Sequence, residues 1–437
     1  MGATERMRLW FPNINVVMVA RIRGRITKRD LERGVTKARQ KHPLLGARIE
    51  LDGDGAGWFT TQGVPEIPIE VVPRATGSEW RERVNEELKR RWPIGIGPLC
   101  HFVLFHGPNA SDLVVNAHHS ICDAHSLAYL IRDILAFAGT STDVPEPEPV
   151  IPVSLEEAVS SHASGGFLSS LVMRGLNRKW LRKGITFDET DYRGLHRSFW
   201  KERCATVLSW TLSTPQVKAL VHRCRKRRIS VNSALYLAFL EAQHRVQGVG
   251  RSVFNNVLVP VSLRSYLAQR VAEALGLYAS VLQLRFKVPP DKPFWHSAQM
   301  LDARVKRQLT DRNIFAAQRL RAMHPSLLDG LAFARFGGFD DPMARGLVER
   351  VLTRMRTGIL VSNLGRLDLP ADYGGLRLSA IRPPAIYAGN AEKALEVLTF
   401  GGRMFLTLTF DAAVVARETV QAVVDTAMGL LAASSSW

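Results

Sequence analysis

Cysteine is scarce in this chain of 437 residues: there are four, Cys100, Cys122, Cys204 and Cys224, and no two form a C-x-x-C pair. That spacing excludes a disulfide-stapled miniprotein and argues against a cysteine-ligated zinc site; reduced thiols of a cytoplasmic protein are expected. Long apolar runs are also missing. No stretch reaches the ~18 residues needed to cross a bilayer, and Glu5 and Arg6 stand where a signal peptide carries its apolar core, so neither a span nor an export signal is expected. Gly2 does not open a myristoylation motif, because Arg6 occupies the position that needs Ser or Thr. Equally absent are H-E-x-x-H, G-x-S-x-G, a Walker loop and a G-x-G-x-x-G after a strand. These gaps remove the common metalloprotease, hydrolase and nucleotide-binding mechanisms; no metal and no bound organic cofactor is expected.

What the chain has in surplus is positive charge, 58 Lys+Arg against 40 Asp+Glu for a net +18, and only 13 of the cations are lysine. One reading of the surplus is a solvated basic surface; the other is an acidic partner, whether a carrier protein, the phosphates of a coenzyme or an anionic membrane. Nucleic acid is not expected, since zinc-finger spacing, RNP-like aromatic runs and basic-zipper heptads are all missing. The length suits two or three domains, each able to bury a core.

Helix and strand signals alternate along the chain, which predicts an α/β fold. Thr27 and Asp30 mark a helix start, Leu31, Val35 and Ala38 recur at helical spacing, and His42-Pro43 stops the pattern. Residues 47–51 and 57–60 flank Asp52-Gly-Asp-Gly as a hairpin, followed by a helix over about 78–92 and two apolar runs, 99–105 and 112–117. A helix begins near Ser126. Proline at 145, 147, 149 and 152 reads as a connector, and from residue 200 strand, helix, helix and strand begin again, with a last helix over 418–431. The economical division is a first lobe over 1–145, a connector over 146–199 and a second lobe over 200–437.

The chemistry concentrates in Asp112–Leu127, DLVVNAHHSICDAHSL. A strand's period of two sets Leu113, Val115, Ala117 and His119 on one face and Val114, Asn116 and His118 on the other. The two histidines therefore point in opposite directions: one is core, the other borders a cavity. Asp123 falls at a helix start, where a carboxylate caps amides or holds an arginine. His125 is expected as a solvated or supporting side chain. In a chain of this composition His-His-x-x-x-Asp should arise by chance only about 0.014 times, so the pattern carries weight.

His118-His-Ser-Ile-Cys-Asp-Ala124 resembles the HHxxxDG signature of the chloramphenicol-acetyltransferase-like superfamily, which includes peptide-synthetase condensation domains and polyketide-associated acyltransferases. Lys41-His-Pro-Leu-Leu-Gly46, Val259-Pro-Val-Ser-Leu-Arg264, Ser362-Asn-Leu-Gly365 and the 401–411 segment extend the resemblance, while the Asp-Phe-Gly-Trp-Gly motif of the plant branch is missing. The resemblance implies two acetyltransferase-like lobes in a V-shaped pseudo-dimer with a central tunnel. It implies acyl transfer from a thioester, on an acyl carrier protein or coenzyme A, to a hydroxyl or amine of a small or carrier-bound acceptor. His119 would be the general base, His118 structural, and Asp123 the partner of Arg264; Asn363 would position the acceptor or the oxyanion. The thioester is substrate, not cofactor. A free-standing condensation enzyme and a non-catalytic carrier- or lipid-binding scaffold are the alternatives. Ala124 replaces the signature's glycine, and its methyl narrows both the allowed backbone and the approach of a ligand.

Residues 167–183 form a basic amphipathic stretch, with Leu168, Val172, Leu176 and Trp180 on one line and Arg174, Arg178 and Arg182 on another. The first line is expected to pack on the protein; the second is a solvated edge or a contact with an acidic carrier or a peripheral membrane surface. The cluster Arg223–Arg228 ends a helix and suits its macrodipole without a ligand.

Overall fold

The computed structural model describes residues 1–53, 55–140, 145–155, 167–248, 252–267, 271 and 273–433. Its strands, in chain order, are β1 (Asn15–Arg23), β2 (Arg48–Leu51), β3 (Gly57–Thr60), β4 (Ile69–Pro73), β5 (Cys100–His106), β6 (Ala110–His118) and β7 (Ala205–Leu212). They continue with β8 (Asn256–Ser262), β9 (Ala279–Arg285), β10 (Thr357–Arg366), β11 (Asp372–Tyr373), β12 (Leu376–Ile386), β13 (Ala391–Phe400) and β14 (Arg403–Asp411). Two six-stranded sheets result, ordered β11-β12-β1-β6-β5-β4 and β7-β14-β13-β10-β8-β9, with β2-β3 as a separate hairpin.

The helix Lys28–Lys41 starts on the expected capping box: Asp30 N donates to Thr27 Oγ1 (3.1 Å) and Thr27 N to Asp30 Oδ2 (3.0 Å). Leu31, Val35 and Ala38 are buried beside the helix Ala124–Gly139. Gly34 is what permits the two helices to approach, since a Cβ there would sit 2.6 Å from the Ile134 carbonyl oxygen. Beyond the helix end, the buried His42 sets its Nε2 2.8 Å from Asp133 Oδ2, and Lys41 Nζ lies 2.8 Å from the same oxygen.

One face of the first sheet (Val16, Met18, Phe102, Leu113, Val115, Ala117) packs with these helices in the first core. The second core joins β8, β10, β13 and β14 to the helices Val231–Gln247 and Arg417–Ala433 through residues such as Leu235, Val259, Val361, Leu395, Leu406 and Val424. A third cluster, Val17, Val19, Trp80, Val103 and Val114 with Ala205 and Val207, ties the other face of the first sheet to β7.

Chain order and sheet order part company at β11 and β12. They lie within 200–437, between β10 and β13 of the second sheet, yet β12 pairs antiparallel with β1 and completes the first sheet. The first sheet is thus completed by a strand from the segment that otherwise builds the second.

The helix Phe167–Leu181 lies differently from the expected line. Trp180 is fully buried, with its indole N–H donating to Ser326 Oγ (3.0 Å), and Asn177 bonds Ala322 O and His324 N. Val172, expected inward, is 64% exposed beside the exposed Leu171 and Leu181. The helix is anchored by its Asn177–Trp180 end, and Leu171, Val172 and Leu181 turn to solvent together with Arg174, Arg178 and Arg182. Leu168 lies where side chains are outside the description.

Candidate active site

β6 carries the motif to its place. Paired with β1 and β5, it ends at His118, opposite Asn15, and His119 stands one residue beyond the last rung. The backbone there stays anchored: His118 N donates to Leu99 O (2.9 Å) and His119 N to Ile14 O (3.0 Å).

The histidines divide as the alternation predicts. His118 is fully buried, its Nδ1 2.7 Å from Ser120 Oγ and accepting from Ser120 N at 3.2 Å. Burial and the adjacent His119 push its pKa down to about 3, only partly offset by the Leu9 backbone carbonyl, so the ring is neutral. His119 is only partly buried. Its Nδ1 lies 2.7 Å from the Cys122 carbonyl oxygen, which can only accept, so Nδ1 carries the proton and Nε2 presents a lone pair. Burial and the nearby Arg8 guanidinium lower its pKa to about 4, against the raising effects of the Cys122 carbonyl and Asp123. At neutral pH the free ring is therefore a base with a fixed tautomer.

Asp123 caps the helix Ala124–Gly139: Ser126 N donates to Oδ1 at 2.7 Å. Arg264, 141 residues away and just beyond β8, sets Nη2 3.1 and 3.3 Å from the two carboxylate oxygens, and Tyr278 N donates to Oδ2 at 3.1 Å. The same Nη2 reaches Ser126 Oγ (2.8 Å) and Ala274 O (3.1 Å), while the guanidinium carbon lies 4.7 Å from the Tyr278 ring centroid. Burial would raise the Asp123 pKa; Arg264, His125 and the Ser126 hydrogen bonds outweigh it and hold the carboxyl below its usual value. The ion pair thus ties the motif helix to the second sheet and leaves His119 outside the pair.

Ala124 is the first residue of a right-handed helix, and Arg228 is the one described non-glycine residue with positive φ. The backbone freedom of glycine is not used at position 124; only the volume of the methyl distinguishes the two residues. His125 is not a solvated side chain: it is partly buried, and its Nε2 lies 3.3 Å from Leu364 O on β10, a second tie between the motif helix and the second sheet. Asn363 spends its Oδ1 on Gly365 N (2.8 Å), and strand alternation groups it with Ile359 and Val361 of the second core. Among the described residues no hydrogen bond joins Asn363 to the His119 segment.

Sequence reasoning missed Arg8, Ser126 and Tyr278. Ser126 had a signal, as the residue three beyond an N-capping Asp123; Arg8 and Tyr278 had none, because only tertiary packing brings them to the motif. Among the described residues no group of three or more His, Cys, Asp or Glu is arranged to hold a metal ion.

No family model matches the chain. The phthiocerol/phthiodiolone dimycocerosyl transferase of Mycobacterium tuberculosis is 22% identical over 280 residues, 61% of this chain and 63% of that protein. The chain thus matches less than two thirds of the length of this curated relative. Among solved structures, the trichothecene 15-O-acetyltransferase TRI3 of Fusarium sporotrichioides is similar with a TM-score of 0.66 at 11% identity, over 98% of this chain and 93% of that one. The first condensation domain of the calcium-dependent antibiotic synthetase is similar with a TM-score of 0.64 at 13% identity, over 98% and 94%. The fold is therefore the one shared by chloramphenicol-acetyltransferase-like acyltransferases and condensation domains.

Proposed function

We propose that this protein is an acyltransferase that moves an acyl group from a thioester to a hydroxyl or amine. The observation that carries the reading is the His119 ring, with Nδ1–H given to the Cys122 carbonyl and Nε2 left as an acceptor. Nε2 takes the proton of the acceptor O–H or N–H as that atom attacks the thioester carbonyl. The tetrahedral intermediate then collapses, the C–S bond breaks, and the imidazolium returns the proton to the departing thiolate; such acid–base assistance is worth ~10²–10⁴ in rate. His118 supports the strand end, and Asp123 with Arg264 holds the loop and helix in register without touching the reacting atoms. Asn363 accepts from Gly365 N through Oδ1, and its role in this reading is to position the acceptor or the oxyanion through its Nδ2 amide.

The acyltransferase names of the curated relative and of TRI3 support this reading, and the fold likeness to a condensation domain does not favour an amide-forming condensation enzyme over it. The donor is a thioester of coenzyme A or of a carrier protein; a division near 146 and 200 puts the base in a first lobe that β12 of the second completes. No helix among the described residues is long and apolar enough to cross a membrane. The outward arginines and aliphatic side chains of Phe167–Leu181 fit a peripheral contact with an anionic surface, read out by co-sedimentation with anionic against neutral vesicles.

Incubation with panels of acyl-coenzyme A and acyl-carrier donors, with products identified by mass spectrometry, tests the assignment. Wild type should transfer and His119→Ala should not, with both equally folded by circular dichroism. Equal turnover by the variant would overturn it.

A further inference from the structure

The chain ahead of β1 packs along the helix Pro325–Arg335. Arg6 donates to both carboxylate oxygens of Asp329 (2.8 and 2.5 Å), the Trp10 and Phe333 ring centroids lie 5.9 Å apart, and those of Phe11 and Phe336 5.0 Å apart. This packing delivers the segment to the motif. Ile14 O, three residues after Phe11, accepts from His119 N (3.0 Å), and the Leu9 carbonyl acts on the His118 ring.

Two guanidinium groups stand in this seam without a carboxylate of their own. Arg335 lies 4.9 Å from the Phe11 ring centroid and 5.0 Å from that of Phe336, and Arg8 Nη1 donates to Thr4 O (2.9 Å). Among the described residues neither forms an ion pair, whereas Arg6, two residues from Arg8, has Asp329, and Arg264 across the motif has Asp123. Both unpaired side chains are partly exposed, so the seam is open to a solute.

Burial and then the Arg8 charge lower the Arg335 pKa to about 10, and no carboxylate acts to raise it. Burial lowers Arg8 too, with Glu5 acting against it. Both groups stay cationic at neutral pH, so two positive charges repel one another in a partly dehydrated seam. An anion entering there relieves that repulsion, and a guanidinium fork matches the two oxygens of a carboxylate. The phosphates of an acyl donor lie at the far end of a phosphopantetheine arm from the thioester. An anion held next to the His119 segment therefore belongs to one of the reacting halves.

We propose that Arg8 and Arg335 form a carboxylate site next to the His119 segment, which selects a substrate carrying a carboxylate close to its reacting group. The inference rests on the acyl-transfer reading above and adds a specificity that the reading leaves open. The carboxylate comes from the acyl group or from the acceptor, and the arginines recognise the group common to both.

Calorimetry with hexanoate against hexanol tests the site without turnover. Wild type should bind hexanoate at least about tenfold tighter, the gain of a charge-assisted hydrogen bond, and Arg335→Gln should lose that preference. Arg335→Lys should restore it in part. Arg8→Gln should lower the same ratio, and it keeps the test open if the Arg335 variant does not fold. In kinetics the source is read from two ratios of kcat/KM: succinyl- against butyryl-coenzyme A for the acyl half, and ω-hydroxyhexanoate against hexanol for the acceptor. One of them should exceed about tenfold in wild type and collapse in Arg335→Gln. A wild type indifferent to the carboxylate in binding, or a preference that survives in both folded variants, would overturn the site. Inorganic phosphate binding more tightly than hexanoate would overturn it as well. Transfer without any carboxylate preference sinks the arginine site and leaves acyl transfer standing. Arginine-dependent hexanoate binding with no transfer from any donor does the reverse.

Discussion

Removing Asp123 tests whether the ion pair with Arg264 is what holds the motif helix against the second sheet. The carboxylate is 3% exposed and accepts from Ser126 N, Tyr278 N and Arg264. Asp123→Ala strips a helix cap, worth ~1 kcal/mol, and removes the carboxylate that Arg264 Nη2 meets at 3.1 and 3.3 Å. A buried charge deprived of its partner costs ~3–5 kcal/mol, so the single variant should lose about 4 kcal/mol. Asp123→Asn keeps an acceptor for the Ser126 amide and should lose less, about 2–3 kcal/mol, the difference reporting the charge. Arg264→Met leaves the carboxylate unpaired and should cost ~3–5 kcal/mol, yet the double variant should cost little more than either single one, a coupling of about 3 kcal/mol. The assay is urea unfolding of the four proteins at pH 7, with unchanged m-values as the check on two-state behaviour. The pair also predicts a pH window. Because the folded carboxyl titrates below its ordinary ~3.9, its stabilisation is fully present above that value and is lost as pH falls below it. Asp123→Asn should lack that acid-side loss. Additive single effects in the cycle, or an Asn variant as costly as Ala, would refute the reasoning.

Further outcomes are expected at the motif. His119 titrates near 4, so the acid limb of kcat/KM should fall near pH 4 and not near the ordinary ~6.5, and Arg8→Gln should move it upward by removing a repelling cation. A limb near 6.5 in wild type would count against the lowered pKa of the His119 ring. His118 stays neutral down to about pH 3 in the fold while its unfolded form protonates near 6.5, so its contribution is complete above 6.5 and falls with pH below it. Between pH 6.5 and 4 that loss is on the order of 3 kcal/mol, and His118→Gln should show a shallower slope in chemical unfolding. Ala124→Gly should leave kcat/KM within about twofold and cost up to ~1 kcal/mol in stability, because position 124 is helical; a large gain in turnover would show that the methyl obstructs the donor.

The sequence by itself determined the local elements and the chemistry they carry. The capping box at Thr27, the stop at His42-Pro43, the hairpin around Asp52 and the helix after Asp123 all follow from neighbours within a few residues, and each appears in the structure. The opposed histidines were legible for the same reason: a strand's period of two is local, so burial of one face decides which ring is core. Long-range pairing was not legible. That β12 leaves the second sheet to complete the first, that Arg264 closes on Asp123 from 141 residues away, and that burial together with Arg8 lowers the basicity of His119 depend on which surfaces meet. The sequence pattern at 167–183 misled at Val172 because helical spacing marks which residues share a side and not which side finds a partner; the anchoring end at Trp180 settled that. Arg23, Arg366, Arg377 and Arg403 likewise come to line one cleft only when β12 crosses between the sheets, and that crossing is a property of the tertiary fold alone.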